Sequence, residues 1–392
     1  MSKMKIIYSL SDDTWNNEEL EAIHKVIESC RFTMGPKTKE FEDKFAEYFG
    51  SKYAVMVNSG SSANLIAIAS LIYSGRLNKG DEVIVPAVSW STTYYPLFQH
   101  GLKLKFIDIN LETLNLDIVE VEKAITDKTK AIFVVNLLGN PNDFNKIKSI
   151  CDKYNLLLIE DNCEALGAKY NNKFTGTFGD IGTFSTFYSH HICTMEGGVA
   201  ITDDEDLYHY MLSLRAHGWT RDLPEDCKLY QKSDNEFYES WNFILPGYNL
   251  RPLEIEAAIG IKQIEKIDEI IKTRRINASY FKKVFGNRKN IKIQKEIGES
   301  SWFGFSLILT NELEGKRNLI LKELMNNGIE VRPIVTGNFT RNQVIRYFDY
   351  EISGELENAD YIHENGFFIG NHSVDIEEKI DYLYTILYKF IS

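Results

Sequence analysis

The sequence predicts an α/β protein: a large, mostly parallel sheet covered by helices, followed by a smaller C-terminal α+β domain. Two patterns predict it. Short apolar runs alternate with stretches of helical period from residue 53 to about 245, which is the pattern of strands buried between helix layers. Beyond that point the alternation stops and a long helical stretch takes over. A chain of 392 residues also suits about two domains, here 1–250 and 251–392.

Residues 15–30, "WNNEELEAIHKVIESC", place apolar residues at helical spacing behind an acidic first turn, and 38–49 form a second helix. "YAVMV" (53–57) is a strand and "SANLIAIASLIY" a helix. "DEVIVPA" (81–87), "KLKFIDI" (103–109), "AIFVVNLLG" (131–139), "LLLIED" (156–161) and "GTFSTF" (182–187) are further strands, with helices at 116–126 and 142–154. Residues 251–285 read as one long helical stretch, 302–309 as a strand, and "EGKRNLILKELMNNG" and "EEKIDYLYTILYKFIS" as the last helices.

Composition narrows the function. The net charge of −12 and the lack of a basic run argue against nucleic acid, though local cations and helix ends still suit a phosphorylated small molecule. No apolar run is long enough to span a membrane, and the N-terminus soon turns acidic, so neither a membrane span nor a signal peptide is expected. Cys30, Cys151, Cys163, Cys193 and Cys227 are scattered and odd in number, which predicts neither disulfides nor a metal site and fits a reducing cytoplasm.

The chemistry concentrates where strands end. In "VMVNSGSSANL" (55–65) a strand gives way to a Gly/Ser turn and a helix, so free N–H groups around Gly60 and Ser61 form a phosphate cradle or an ordinary serine cap. Trp90, in "PAVSWSTTYYP" (86–96), sits in a loop just past a strand, either a flat plate for a ligand or a core residue. In "LLLIEDNCEALGA" (156–168) an apolar strand runs into Glu160 and Asp161, with Glu164 near the same rim. A carboxylate there needs a partner such as a protonated ring nitrogen, unless Asp161 is a helix cap. In "GTFSTFYSHHICTMEGG" (182–198) the strand leads past Ser185 to His190, and Gly197 and Gly198 allow a tight return into "VAITDD".

Taken in order, "NSGSSAN", Trp90, "EDNCEALGA", "GDIGTFSTFYSHH" and "GYNLRPLEIEAAIG" resemble the DegT/DnrJ/EryC1/StrS family of sugar aminotransferases, over nearly the whole chain. That resemblance implies the aspartate aminotransferase fold (fold type I) with a seven-stranded-type sheet, and pyridoxal 5′-phosphate (PLP) as cofactor. It further implies that Gly60, Ser61 and Ser185 meet the phosphate, Trp90 stacks on the ring, Asp161 holds the pyridine nitrogen protonated and Glu164 adds a contact. Asn249 matches an asparagine that reaches the phosphate of a neighbouring subunit, so a homodimer with shared sites is expected. His217, Arg221 and Arg332, with Cys30, Arg31, Phe32 and Thr33, match positions that hold a sugar nucleotide.

The family places a lysine at position 190, bound covalently to PLP; this chain has His190. With "FTMG" (32–35), "RAHGWTRDLP" (215–224) and "RPIVTGNF" (332–339), that change resembles a histidine-bearing dehydratase branch. The branch implies non-covalent PLP or pyridoxamine 5′-phosphate (PMP), L-glutamate as amino donor and C3 dehydration of a GDP-linked 4-keto-6-deoxy sugar. GDP-4-keto-6-deoxy-D-mannose is the first choice, on the route to the 3,6-dideoxysugars of surface polysaccharides. His190, with a pKa that can lie near neutral, is the base; His191, on an extended chain, would point away. No iron–sulfur cluster is expected, because Cys163, Cys193 and Cys227 form no bunch. A 6-deoxyheptose substrate, a 4-keto sugar aminotransferase and a non-catalytic sugar-nucleotide-binding protein stand as alternatives.

Overall fold

The computed structural model describes residues 5–391. Its centre is an eight-stranded sheet in the order Tyr53–Val57, Gly198–Thr202, Ile181–Ser185, Leu157–Asp161, Thr129–Val135, Glu82–Pro86, Lys103–Ile107 and Tyr350–Ile352. Gly198–Thr202 runs antiparallel to both neighbours; the other pairings are parallel. The central strands are covered on both faces, so every residue of Glu82–Pro86, Ile181–Ser185 and Gly198–Thr202 is buried, the charged Glu82 paired with Lys105 Nζ at 2.9 Å. The parallel strands therefore deliver Val57, Pro86, Val135, Asp161 and Ser185 to one common edge of the sheet. Ligands bind outside such carboxyl ends in open α/β sheets.

The Gly60–Tyr73 helix is apolar on almost every side and is buried from Ala63 through Leu71 apart from Leu65. It packs with the Glu205–Arg215 helix and the sheet in the largest core cluster. A second core surrounds a three-stranded antiparallel sheet of Ile291–Lys292, Gly304–Leu309 and Gly366–Gly370, with Phe281, Phe285, Trp302 and Phe305 at its heart. The chain crosses between these cores more than once. Tyr8 sits in the second core and donates its hydroxyl to Gly370 O at 2.8 Å, while Tyr350–Ile352 returns to the edge of the large sheet.

One local reading changes. The stretch 251–285 is two helices, Glu254–Ile264 and Ile267–Phe285, broken at Glu265 and Lys266. At the break Lys266 Nζ reaches buried Glu19 Oε1 at 2.5 Å, beside the Gln263 amide on the same carboxylate oxygen. Trp90 holds the expected loop position, and the residues after it, not assigned to an element from the sequence, form a helix, Ser91–Gln99, with Pro96 inside it. All five cysteines are free thiols. Among the described residues, no helix is long and apolar enough to cross a membrane.

Candidate active site

A cavity of about 300 Å³ opens at the carboxyl edge of the sheet. One wall is the start of the Gly60–Tyr73 helix, capped by Ser59, whose hydroxyl accepts from Ser62 N at 3.1 Å. Backbone N–H groups at such an end lack helical partners and suit an anion. Ser61 Oγ lies 3.0 Å from Thr92 Oγ1, and Ser185 faces this end from its strand. Gly60 is required here by space: a Cβ would stand 2.6 Å from Ser185 Cβ and 3.0 Å from Cys163 Sγ.

Asp161 ends its strand with both oxygens held. Oδ2 accepts from Asn64 Nδ2 at 2.9 Å and Thr93 Oγ1 at 2.8 Å, and Oδ1 accepts from Cys163 N at 3.0 Å. Asp161 is thus an anchored carboxylate with lone pairs to spare, and it faces the cavity. Trp90 also lines the cavity and is 57% exposed, so it is not a core residue. Glu164 Oε2 accepts from Leu138 N at 3.0 Å. Burial, with the nearby Asp161 charge, pushes the Glu164 carboxyl up to about 7 against the pull of that N–H and of Arg332.

His190 and His191 diverge. His190 lines the cavity between Phe187 and Phe303, whose ring centroids lie 6.0 and 5.1 Å away. Its Nδ1 is buried with no hydrogen-bond partner, which leaves Nε2 as the nitrogen open to the cavity. His191 is fully buried behind it and shares Nε2 with Ser301 O at 3.2 Å. In the open cavity, burial, with Arg274 and Arg332 nearby, lowers His190 to about 3, below the near-neutral range an imidazole can occupy. The ring is neutral, and Nε2 presents a lone pair when the proton sits on Nδ1. An anion entering the cavity would oppose those guanidinium charges and raise the ring's proton affinity.

Arg332 lines the same cavity, its backbone tied to Phe368. The other expected nucleotide contacts lie outside it. His217 and Asn249 sit together, with His217 N on Tyr248 O and Ala216 paired with Asn249, whose Oδ1 accepts from Arg251 Nε. Arg221 lies over the Trp219 ring at 4.3 Å. Cys30 ends the first helix in a left-handed conformation, Arg31 and Phe32 are exposed, and Thr33 bridges to Leu253. Sequence reading missed Asn64, Thr93 and Phe303. Asn64 and Thr93 lie within motifs already quoted, one helical turn past Gly60 and three residues past Trp90. Phe303 arrives from the segment just before the Gly304–Leu309 strand, distant in sequence, with no local signal.

The cavity therefore combines an N–H and hydroxyl cradle, a flat indole, an anchored carboxylate and an imidazole. This donor set fits a phosphorylated aromatic ring that bears a protonated nitrogen. Among the described residues, no lysine lines the cavity to bind such a ring covalently. Residues 13–387 match the model of the DegT/DnrJ/EryC1/StrS aminotransferase family. The chain belongs to this family. It is 54% identical to the GDP-4-keto-6-deoxy-D-mannose 3-dehydratase of Yersinia pseudotuberculosis, over 99% of this chain and 100% of that protein. Among solved structures it is similar to the Escherichia coli GDP-4-keto-6-deoxy-D-mannose 3-dehydratase with bound hydrated PLP. That match has a TM-score of 0.96 and 54% identity and covers 98% of this chain and 100% of the other. A structure of GDP-4-keto-6-deoxymannose 3-dehydratase with a trapped PLP-glutamate geminal diamine matches with a TM-score of 0.95 and 53% identity, covering 97% and 100%. These two structures share the fold of this chain over nearly its whole length.

Proposed function

We propose that this chain is a PLP/PMP-dependent dehydratase that removes the C3 hydroxyl of a GDP-linked 4-keto-6-deoxy sugar, foremost GDP-4-keto-6-deoxy-D-mannose. The observation that carries this reading is His190 in a cavity that no lysine lines among the described residues, at the position where the sequence resemblance implies a lysine. When bound, the cofactor supplies an amine that condenses with the C4 ketone and a conjugated ring that takes up electrons.

The chain's residues do the rest. The N-terminal turn at Gly60 and Ser61 and the Ser185 hydroxyl hold the phosphate. Trp90 presents its indole face to the ring, and Glu164 holds a ring substituent. Asp161, fixed by Asn64 and Thr93, accepts the pyridine N–H and keeps that nitrogen protonated. His190 Nε2 removes a proton at the cofactor C4′ carbon and returns it to the departing C3 oxygen. Arg332 pairs with a diphosphate or sugar oxygen through its planar fork.

The overall reaction balances. The sugar exchanges its C3 hydroxyl for hydrogen, and L-glutamate becomes 2-oxoglutarate and ammonia. Glutamate's oxidation supplies the two electrons that the deoxygenation needs, and the water it consumes matches the water released from C3. The product is a GDP-4-keto-3,6-dideoxy sugar for O-antigen or capsule synthesis. We place the enzyme in the cytoplasm, which suits its free cysteines.

His217, Arg221, Asn249 and the 30–33 segment stand outside the cavity of their own chain, and they serve the site of a second copy in a homodimer. Exposed Phe32, Trp90, Trp241, Phe243 and Leu253 supply apolar surface for that contact. The test is incubation with PMP, glutamate and a panel of 4-keto sugar nucleotides, hexose and heptose, with different bases. Ammonia and a 3-deoxy product are expected, fastest with the GDP hexose. A 4-amino sugar, or binding without conversion, would overturn the reading.

A further inference from the structure

A covalent lysine is located by the bond it makes. His190 has no such bond and, among the described residues, no side-chain hydrogen bond, so its direction is set by the backbone that carries it. That backbone is held three residues later. Cys193 N donates to Gln263 Oε1 at 3.0 Å, and Cys193 O accepts from Trp15 Nε1 at 2.9 Å. We propose that Gln263 and Trp15 are positioning residues that aim His190 by gripping both main-chain groups of Cys193. This rests on the reading of His190 as the base.

The Gln263 amide can point only one way. Its Nε2 lies 2.7 Å from Glu19 Oε1, and a carboxylate accepts only, so Oε1 must face the Cys193 N–H. Glu19 is itself fixed by Lys266 Nζ at 2.5 Å and Asn16 N at 2.8 Å. Thr14 completes the set, donating its hydroxyl to Gln263 Oε1 at 2.6 Å and accepting from Gln263 Nε2 at its carbonyl. Gln263 is fully buried, and its bond to Glu19 is buried with it, so that bond is made without competing water. The loop is pinned elsewhere too, by His190 N on Phe187 O at 2.8 Å, Tyr188 N on Met195 O at 3.0 Å, Thr194 N on Thr186 O at 2.8 Å and His191 on Ser301 O. Cys193 lies between the last two, and its grip comes from the N-terminal arm and the Glu254–Ile264 helix. Two elements remote in sequence thus fix where the imidazole stands.

The test uses Gln263→Met, which keeps the volume and removes the acceptor, and Trp15→Phe, which keeps a ring and removes the donor. Single-turnover elimination by the PMP-loaded full-length protein should slow about 10- to 100-fold in each, the range that sub-ångström to 1 Å misplacement produces. The dissociation constant for PMP should stay within about threefold. Without cofactor, diethyl pyrocarbonate should modify His190, followed by peptide mass mapping, several-fold faster in both variants. In a His190→Asn background the residual rate should not fall further when Gln263→Met is added, because the positioned group is gone. An equal fall in that background, or wild-type rates and labelling in both variants, overturns the proposal. Should Gln263→Met not fold, Trp15→Phe alone decides it by the same readouts. Full elimination by His190→Asn itself would instead overturn the base assignment, a separate failure.

Discussion

Asn64 Nδ2 lies 2.9 Å from Asp161 Oδ2, and Thr93 Oγ1 lies 2.8 Å from the same oxygen. The carboxylate at the end of the Leu157–Asp161 strand is therefore oriented by two side chains from neighbouring helices before any ligand meets it. Hydrogen bonds to a charged group contribute about 1.5–3 kcal/mol, part of which is lost when the ligand must do the orienting. Asn64→Ala is expected to weaken PLP binding about tenfold, measured by spectrophotometric titration. Unchanged affinity would show that Asp161 needs no such support. Thr93→Val should act on the same oxygen and combine non-additively with it.

Gly60→Ala tests the close approach of the helix end to Ser185. The new Cβ would lie 2.6 Å from Ser185 Cβ, so one of the two elements must move. Overpacking of this kind costs about 1–3 kcal/mol. Both the melting temperature and the affinity for PLP should fall; a variant with wild-type values would contradict the cradle.

Glu164 gives a pH signature. Burial raises its carboxyl to about 7 in the fold, above its ordinary value near 4.5. The unfolded chain therefore binds fewer protons than the folded one between these values, and the group's contribution to stability declines as pH rises through that window. Below about 4.5 nothing is lost, and above about 7 the whole penalty is present. His190 has the opposite sign, because its folded value near 3 makes stability decline as pH falls below about 6.5. Glu164→Gln removes only the first effect. Its melting temperature in the cofactor-free protein, relative to wild type, should rise from pH 5 and level off above about pH 7. A pH-independent difference would contradict the shift.

His190→Lys places an amine in a cavity that no lysine lines among the described residues. The variant should capture PLP covalently and give a shifted absorbance band that survives gel filtration. Failure to do so would show that position 190 does not face the cofactor.

Much of this was legible in the sequence, for physical reasons. Strands buried on both faces, such as Glu82–Pro86, must be apolar runs, and a carboxylate ending such a run, as Asp161 does, must have a partner. The turn at Gly60 announces itself because close backbone approach demands glycine. Other features depend on contacts between distant segments. Phe303 meets His190 from the segment before the Gly304–Leu309 strand, and the helix break at Lys266 reflects a buried carboxylate on the first helix, Glu19. The depressed pKa of His190 arises from Arg274 and Arg332 as well as from burial, and neither arginine is near it in sequence.

The central claim is that His190 moves the proton on which C3–O cleavage depends. The most direct measurement is single-turnover elimination from the ketosugar nucleotide by PMP-loaded His190→Asn. The account predicts PLP binding within a few-fold of wild type and elimination slowed at least a hundredfold, the scale of a lost general base. Elimination at the wild-type rate in that variant would contradict it.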